Sequence, residues 1–157
     1  MNRSVVIADS SCLIALDNIG EIDLLAKLFT KVFITPEVSS EFGKPLPEWL
    51  ELKRNSAASS QHARLSILDP GEASSIALAL DSINPLLIID ERKGRRVAEE
   101  FGIEIIGTVG IMLTAHAAGF IELSETIVDR LESANFRISK ILRSKLLNPN
   151  NRDASEN

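Results

Sequence analysis

Four carboxylates stand at positions where they could do chemistry together. Asp9 closes the apolar run Val5-Val6-Ile7-Ala8, and Asp90 closes Leu86-Leu87-Ile88-Ile89. Glu72 opens a helix behind Asp69-Pro70-Gly71, and Glu41 lies about two turns into the helix that follows the second apolar run. Singly, each has an ordinary explanation. Asp9 and Asp90 could cap the helices they precede, and a cap contributes roughly 1 kcal/mol. Asp69 and Glu72 fit a capping box with Pro70 at the first helical position, and Glu41 could pair with Lys44. Together they imply more. If parallel strands bring their ends into one cleft, two like charges about 4 Å apart repel by about 4 kcal/mol at an effective dielectric near 20. That exceeds any single cap. Such a cluster persists only with a cation in it or with raised pKa values. Hard oxygen donors without His or Cys beside them suit Mg²⁺ or Mn²⁺ rather than zinc. A site of that kind serves phosphoryl chemistry, where the cation activates water and stabilises charge on the phosphate. Glu37, four residues before Glu41, is excused by the positive end of its helix; Glu41 is not, which makes it the better ligand candidate.

The elements that must position these acids follow from apolar runs and stop signals. Ser4–Asp9 reads as a strand buried on both faces, followed by helices over Cys12–Asp17, capped by Ser10 and Ser11, and Glu21–Phe29. Lys31–Ile34 is a second strand. Thr35-Pro36 then opens a helix through Phe42, and Glu48–Arg54 reads as a short helix after the Pro45/Pro47 pair. Arg64–Leu68 is a candidate strand, and the helix opened by Asp69-Pro70 carries Ile76 and Leu80. Pro85–Asp90 and Ile103–Ile106 are strands, separated by a helix over Glu91–Phe101 that Gly102 closes. A helix over Thr108–Ala118 closes at Gly119, and two more begin at Ser124 and Ser139. Strands alternating with helices predict a single-domain, three-layer α/β/α fold with a mainly parallel sheet. The domain is expected over residues 1–147, with a polar, disordered tail over residues 148–157.

Composition narrows the function. At 157 residues, 45% hydrophobic and 25% charged, the chain is one ordinary globular domain. No apolar run reaches the roughly 18 residues of a membrane span, the start lacks a signal-peptide pattern, and one cysteine forms no internal disulfide; a reducing cytoplasm is the expected compartment. A net charge of −5 and the absence of tyrosine argue against gripping nucleic acid by charge or base stacking alone. The basic residues are nevertheless clustered: Arg92, Lys93, Arg95 and Arg96 in one helix, then Arg137, Lys140 and Arg143 at intervals of three. Arg92, Lys93 and Arg96 are candidates to hold a phosphate backbone beside acids that repel it; the plain alternative is a solvated helix face interspersed with Glu99 and Glu100. His116 is expected to pack mid-helix, His62 to be surface, Cys12 to be a buried thiol and Trp49 to anchor packing. No dinucleotide fingerprint and no phosphate-cradling Gly-Lys-Ser/Thr loop occurs, and the acidic pair and late lysine of a receiver domain are missing.

At these residues the chain resembles the PIN-domain ribonucleases. Val6-Ile7-Ala8-Asp9-Ser10-Ser11-Cys12-Leu13-Ile14-Ala15-Leu16 looks like the family's first strand and helix, with Asp9 as its first metal-binding acid. Ile34-Thr35-Pro36-Glu37-Val38-Ser39-Ser40-Glu41 looks like the segment that supplies the second, at Glu41. Leu68-Asp69-Pro70-Gly71-Glu72-Ala73 and Leu87-Ile88-Ile89-Asp90-Glu91-Arg92 resemble a prokaryotic branch of the family described as nucleic-acid-binding. The third family position, most often Asp, is Glu72. The fourth acid of many relatives is replaced by Gly107-Thr108, where Thr108 supplies only a hydroxyl and Glu91 is the nearest substitute. The resemblance implies a Mg²⁺- or Mn²⁺-dependent ribonuclease, in many members the toxin of a toxin–antitoxin pair of the VapBC type. It implies catalysis and metal binding by Asp9, Glu41, Glu72 and Asp90, with Ser10 orienting Asp9 or a water. It also implies RNA and an antitoxin protein as partners, and a homodimer formed through the Leu13, Ile14 and Leu16 region or the C-terminal helices. The alternative is a PIN-like module, weak or inactive, that binds RNA or a protein partner.

Overall fold

The computed structural model describes residues 5–150; Ser4 of the expected first strand and the tail from residue 151 onward lie outside the described residues. Five short strands form one sheet: β1 Val6–Ala8, β2 Val32–Ile34, β3 Leu50–Leu52, β4 Leu86–Ile88 and β5 Glu104–Ile106. Their order is β3-β2-β1-β4-β5 and every pairing is parallel, with Val6 opposite both Val32 and Leu86. The helices among the described residues are α1 Ser10–Asn18, α2 Leu24–Leu28, α3 Pro36–Phe42, α4 Ala57–Ser60, α5 Pro70–Leu80, α6 Arg92–Glu100, α7 Thr108–Ala117, α8 Glu125–Ser133 and α9 Lys140–Leu147.

Period-two alternation in the strands divides the core. Val6, Ala8, Val32, Ile34, Leu86 and Ile88 face one way, into an apolar cluster with α1, α2, α3, α7, α8 and α9. Ile7, Leu87 and Ile89 face the other way, against Ile76 of α5 and Val97 of α6. This is the three-layer α/β/α arrangement the sequence predicts, with central strands apolar on both faces because helices cover both.

Two expected elements are different in kind. The segment expected as a helix over Glu48–Arg54 contains β3, because the free edge of β2 offers a ladder that Leu50–Leu52 completes, and this pairing overrides weak local propensity. The expected strand over Arg64–Leu68 is a 3₁₀ turn, Ala63–Ile67, lying on the α5–α6 side of the sheet, and only Leu65 of it is buried, against the cluster of Ile76 and Val97. The helix expected over Glu21–Phe29 shortens to α2, and α4, capped by Ser56, was not anticipated. The dimer surface expected at Leu13, Ile14 and Leu16 is also corrected. Leu13 and Leu16 are fully buried beneath neighbouring helices, and only Ile14 reaches solvent.

α3 and α5, which carry Glu41 and Glu72, pack on each other. Thr35 joins them. Its buried hydroxyl caps α3 by accepting the Val38 N–H at 3.2 Å and shares a 2.7 Å hydrogen bond with Ser74 of α5. Thr35→Val keeps the shape and removes both bonds. We expect it to cost about 1–2 kcal/mol in urea unfolding; an unchanged midpoint would show that the tie contributes nothing.

Candidate functional site

From β1 the sheet grows outward through β2 and β3, and from β4 through β5, so the chain reverses direction of growth between β1 and β4. The carboxyl ends of two such strands frame the crevice of an open parallel sheet. Asp9 follows β1 directly, its N–H bonded to Ile88 O at 2.9 Å, and Asp90 follows β4 after Ile89. The topology therefore sets the two aspartates side by side. α5 brings Asp69 and Glu72 to the same crevice, and Glu91 stands at the start of α6.

Each carboxylate is held differently. Asp9 occupies the N-cap position of α1 without making a side-chain cap bond, so the capping explanation fails for it. Its side chain is almost fully buried, and its Oδ1 is a buried oxygen with no hydrogen-bond partner. Burial raises its pKa to about 7, opposed by the Ser10 N–H and reinforced by the charges of Glu41, Asp69 and Asp90. Glu72 is also buried and is pushed up to about 8, first by desolvation, then by Asp69, Asp9 and Glu91. Asp90 is clamped by the start of α7: its Oδ1 accepts the Thr108 N–H at 2.8 Å and its Oδ2 the Thr108 hydroxyl at 2.6 Å. Ser11 donates to the same Oδ2 at 3.3 Å. Thr108 thus holds an acid instead of replacing one.

Glu41 reaches across from α3. Its Oε1 accepts the Gly71 N–H at 3.0 Å and its Oε2 the Ser10 hydroxyl at 2.6 Å. The Ser10 hydroxyl therefore engages Glu41, not Asp9 as expected. Lys44 pairs with Asp17 at 2.6 Å and leaves Glu41 to this bridge. A side chain on Gly71 would overlap both carboxylate oxygens of Glu41, so this placement of Glu41 depends on the glycine. Gly107 is confined in the same way by Asp90 Oδ1 and the Arg95 guanidinium.

Three of the four expected acids, Asp9, Glu72 and Asp90, line one open cleft of about 970 Å³, and Glu41 does not. Asp9, Asp69, Glu72, Asp90 and Glu91 gather in it, with Arg92 and Arg95 of α6 beside them and Arg137 and Lys145 from the C-terminal hairpin. Of the basic residues expected to hold RNA, Arg92 lines the cleft, Arg96 lines an adjoining depression with Asp90 and Glu99, and Lys93 lines neither. Sequence reasoning treated Asp69 only as a cap. It is one, accepting the Glu72 N–H at 2.9 Å, but its charge also acts on Asp9 and Glu72. Arg95 was passed over although it lies three residues from Arg92, on the same helix face. Cys12 is buried with its thiol pushed up by desolvation, His116 bonds Ile121 O at 3.2 Å, and the Trp49 indole donates to Asp23 at 3.1 Å; none belongs to the cleft.

The donor set fits a hard divalent cation. Only carboxylate and hydroxyl oxygens converge, one buried carboxylate oxygen lacks a partner, and burial, reinforced by mutual repulsion, raises two of the acids. Among the described residues no group of three His, Cys, Asp or Glu side chains is already arranged to hold an ion, and Glu41 would have to be drawn from Gly71 and Ser10 to join one.

A protein-family model described as a PIN domain matches residues 5–151. No curated protein and no solved structure matches the chain.

Free carboxyl groups ionise near 4 in an unfolded chain. Asp9 and Glu72, raised on folding, therefore contribute stability that is complete below that pH and lost as pH rises through about 7 and about 8 respectively. In EDTA, Asp9→Asn should match the wild-type melting temperature near pH 5 and exceed it at pH 8. Parallel pH curves for the two proteins would show that Asp9 ionises without penalty.

Proposed function

The chain belongs to the PIN-domain family, whose members are generally nucleases and typically use divalent metals, and from that premise we propose that it is a Mg²⁺- or Mn²⁺-dependent endoribonuclease. The observation that carries the reading is the buried, partnerless oxygen of Asp9 among facing carboxylates at the sheet's switch point. A buried charge in that setting is stable only with a counter-ion. Asp9, Glu72 and Asp90, with Glu41 once released, would hold the cation. When bound, the cation supplies positive charge to the phosphate and lowers the pKa of water.

The chain's own residues do the rest. Thr108 fixes both oxygens of Asp90, so that acid presents one orientation to the cleft. Asp9 and Glu72 must release their protons for the cation to enter, which makes metal affinity rise with pH through the neutral range. Arg92 and Arg95 offset the acids' repulsion of an RNA backbone. Glu41, withdrawn to Gly71 and Ser10, favours the second reading, in which the chain is a PIN-like module that binds RNA or a protein without cutting. The nuclease reading extends to a toxin role with a cognate antitoxin, and to a homodimer, with residues 1–147 as the folded domain acting in the cytoplasm.

Cleavage of a mixed set of single-stranded and hairpin RNAs separates the two readings. We expect cleavage with Mg²⁺ or Mn²⁺, none with EDTA, and a loss of about 100-fold or more in Asp9→Asn; Thr108→Val should lose about 10–100-fold while still folding. Absence of both cleavage and a Mn²⁺-induced rise in melting temperature would leave the binding module. Growth arrest on expression, absent in Asp9→Asn, is the expected sign of the toxin role.

A further inference from the structure

The cleft is not acidic throughout. Away from the carboxylates its lining is apolar and half-buried: Ile106, Leu113, Phe136 and Leu142, from β5, α7 and the α8–α9 hairpin. Unpaired cations flank this apolar part. Among the described residues neither Arg137 nor Lys145 makes a salt bridge or a side-chain hydrogen bond, whereas Arg143, on the same helix as Lys145, is bound to Asp129 and Glu132 and ties α9 to α8. The hairpin thus uses one arginine for its own structure and leaves two cations facing the cleft.

The connector is rigidly placed. Asn135 turns the chain out of α8 with φ of 64°, and the Phe136 N–H bonds back to Leu131 O at 3.1 Å. This closes the helix in the manner of a Schellman turn. Phe136 packs its inner face on the core while its ring borders the cleft. Beyond it a second depression, of about 940 Å³, shares Asn135, Phe136, Arg137 and Leu142 with the first. The two depressions therefore adjoin at Phe136.

Apolar walls bracketed by cations beside an acidic centre match one ligand chemistry: a flat, uncharged ring carried on a polyanion. A base can enter such a recess only if it is unpaired. We propose that the recess between α7 and the α8–α9 hairpin binds one unpaired base of a single-stranded RNA against Phe136, with Arg137 and Lys145 on the neighbouring phosphates. The inference deepens the ribonuclease reading and rests on it for the identity of the polymer. It makes the C-terminal hairpin the element that selects single strands over duplex.

The test is binding of a short fluorescent single-stranded RNA, and of the same sequence in a duplex, to the full chain carrying Asp9→Asn so that nothing is cut. Phe136→Leu, added to keep the apolar packing but lose the ring, should weaken single-strand binding by about tenfold. Arg137→Ala and Lys145→Ala should each flatten the dependence of log affinity on log salt by about 0.7. Thermal melts of each variant confirm that the hairpin still folds. Equal affinity for duplex, or unchanged binding in all three variants, overturns the proposal. RNA bound through these residues but left intact by the wild-type chain with Mn²⁺ keeps this inference and removes the nuclease reading. Cleavage with unchanged binding in the three variants does the reverse.

Discussion

The constraint on which the structure turns is the cost of burying carboxylates close to one another. Asp9 sits at the bottom of the cleft with 3% of its surface exposed, and Glu72 with 6%. Among the described residues neither makes a salt bridge. Such an arrangement opposes folding and would relax if the backbone allowed it. The rest of the molecule prevents that. The parallel pairing of β1 with β4 fixes Asp9 against Asp90, Thr108 clamps Asp90, and the Thr35–Ser74 bond holds α3 and α5 in register. The repulsion is converted into raised proton affinity, and equally into affinity for a hard cation, because both relieve the same excess of negative charge.

Close approach of backbone to carboxylate explains details that composition leaves blank. Gly71 lets Glu41 lie on the first turn of α5, and Gly107 lets Asp90 and Arg95 meet over the start of α7. In both places a helix N-terminus supplies N–H groups to an anion, the favourable end of the helix dipole. The same device recurs at Asp69, which caps α5 while adding its charge to the cluster. One residue thereby serves folding and site electrostatics at once, which is why reading it as a cap alone was incomplete.

The basic side chains show the complementary logic. Some cations away from the cleft are paired, as Arg64 is with Glu100 at 2.8 Å and Arg143 is with two acids of α8. Those on the cleft, Arg92, Arg137 and Lys145, are left without such partners among the described residues. A net-acidic protein can still approach a polyanion when some of its cations border the surface where the polyanion must sit.

The sequence by itself determined the fold class and much of the acid set. Apolar runs ending in Asp9 and Asp90 are buried parallel strands because a strand covered by helices on both faces has no polar positions to spare. Thr35-Pro36 and Asp69-Pro70 start helices because their side chains and fixed φ do so locally. These signals are short-range and survive in one dimension. What only the tertiary structure decided is long-range. β3 exists because β2 offers an edge, and the segment at Arg64 is a turn that lies against a face of the sheet and buries only Leu65. Leu13 and Leu16 are buried by helices distant in sequence, and Ser10 bonds Glu41 because α1 and α3 pack together. The second wall of the cleft comes from a hairpin more than forty residues after Asp90. Hydrogen-bond satisfaction and burial are settled by whichever neighbour the completed sheet supplies, and the spacing of residues along the chain does not contain that information.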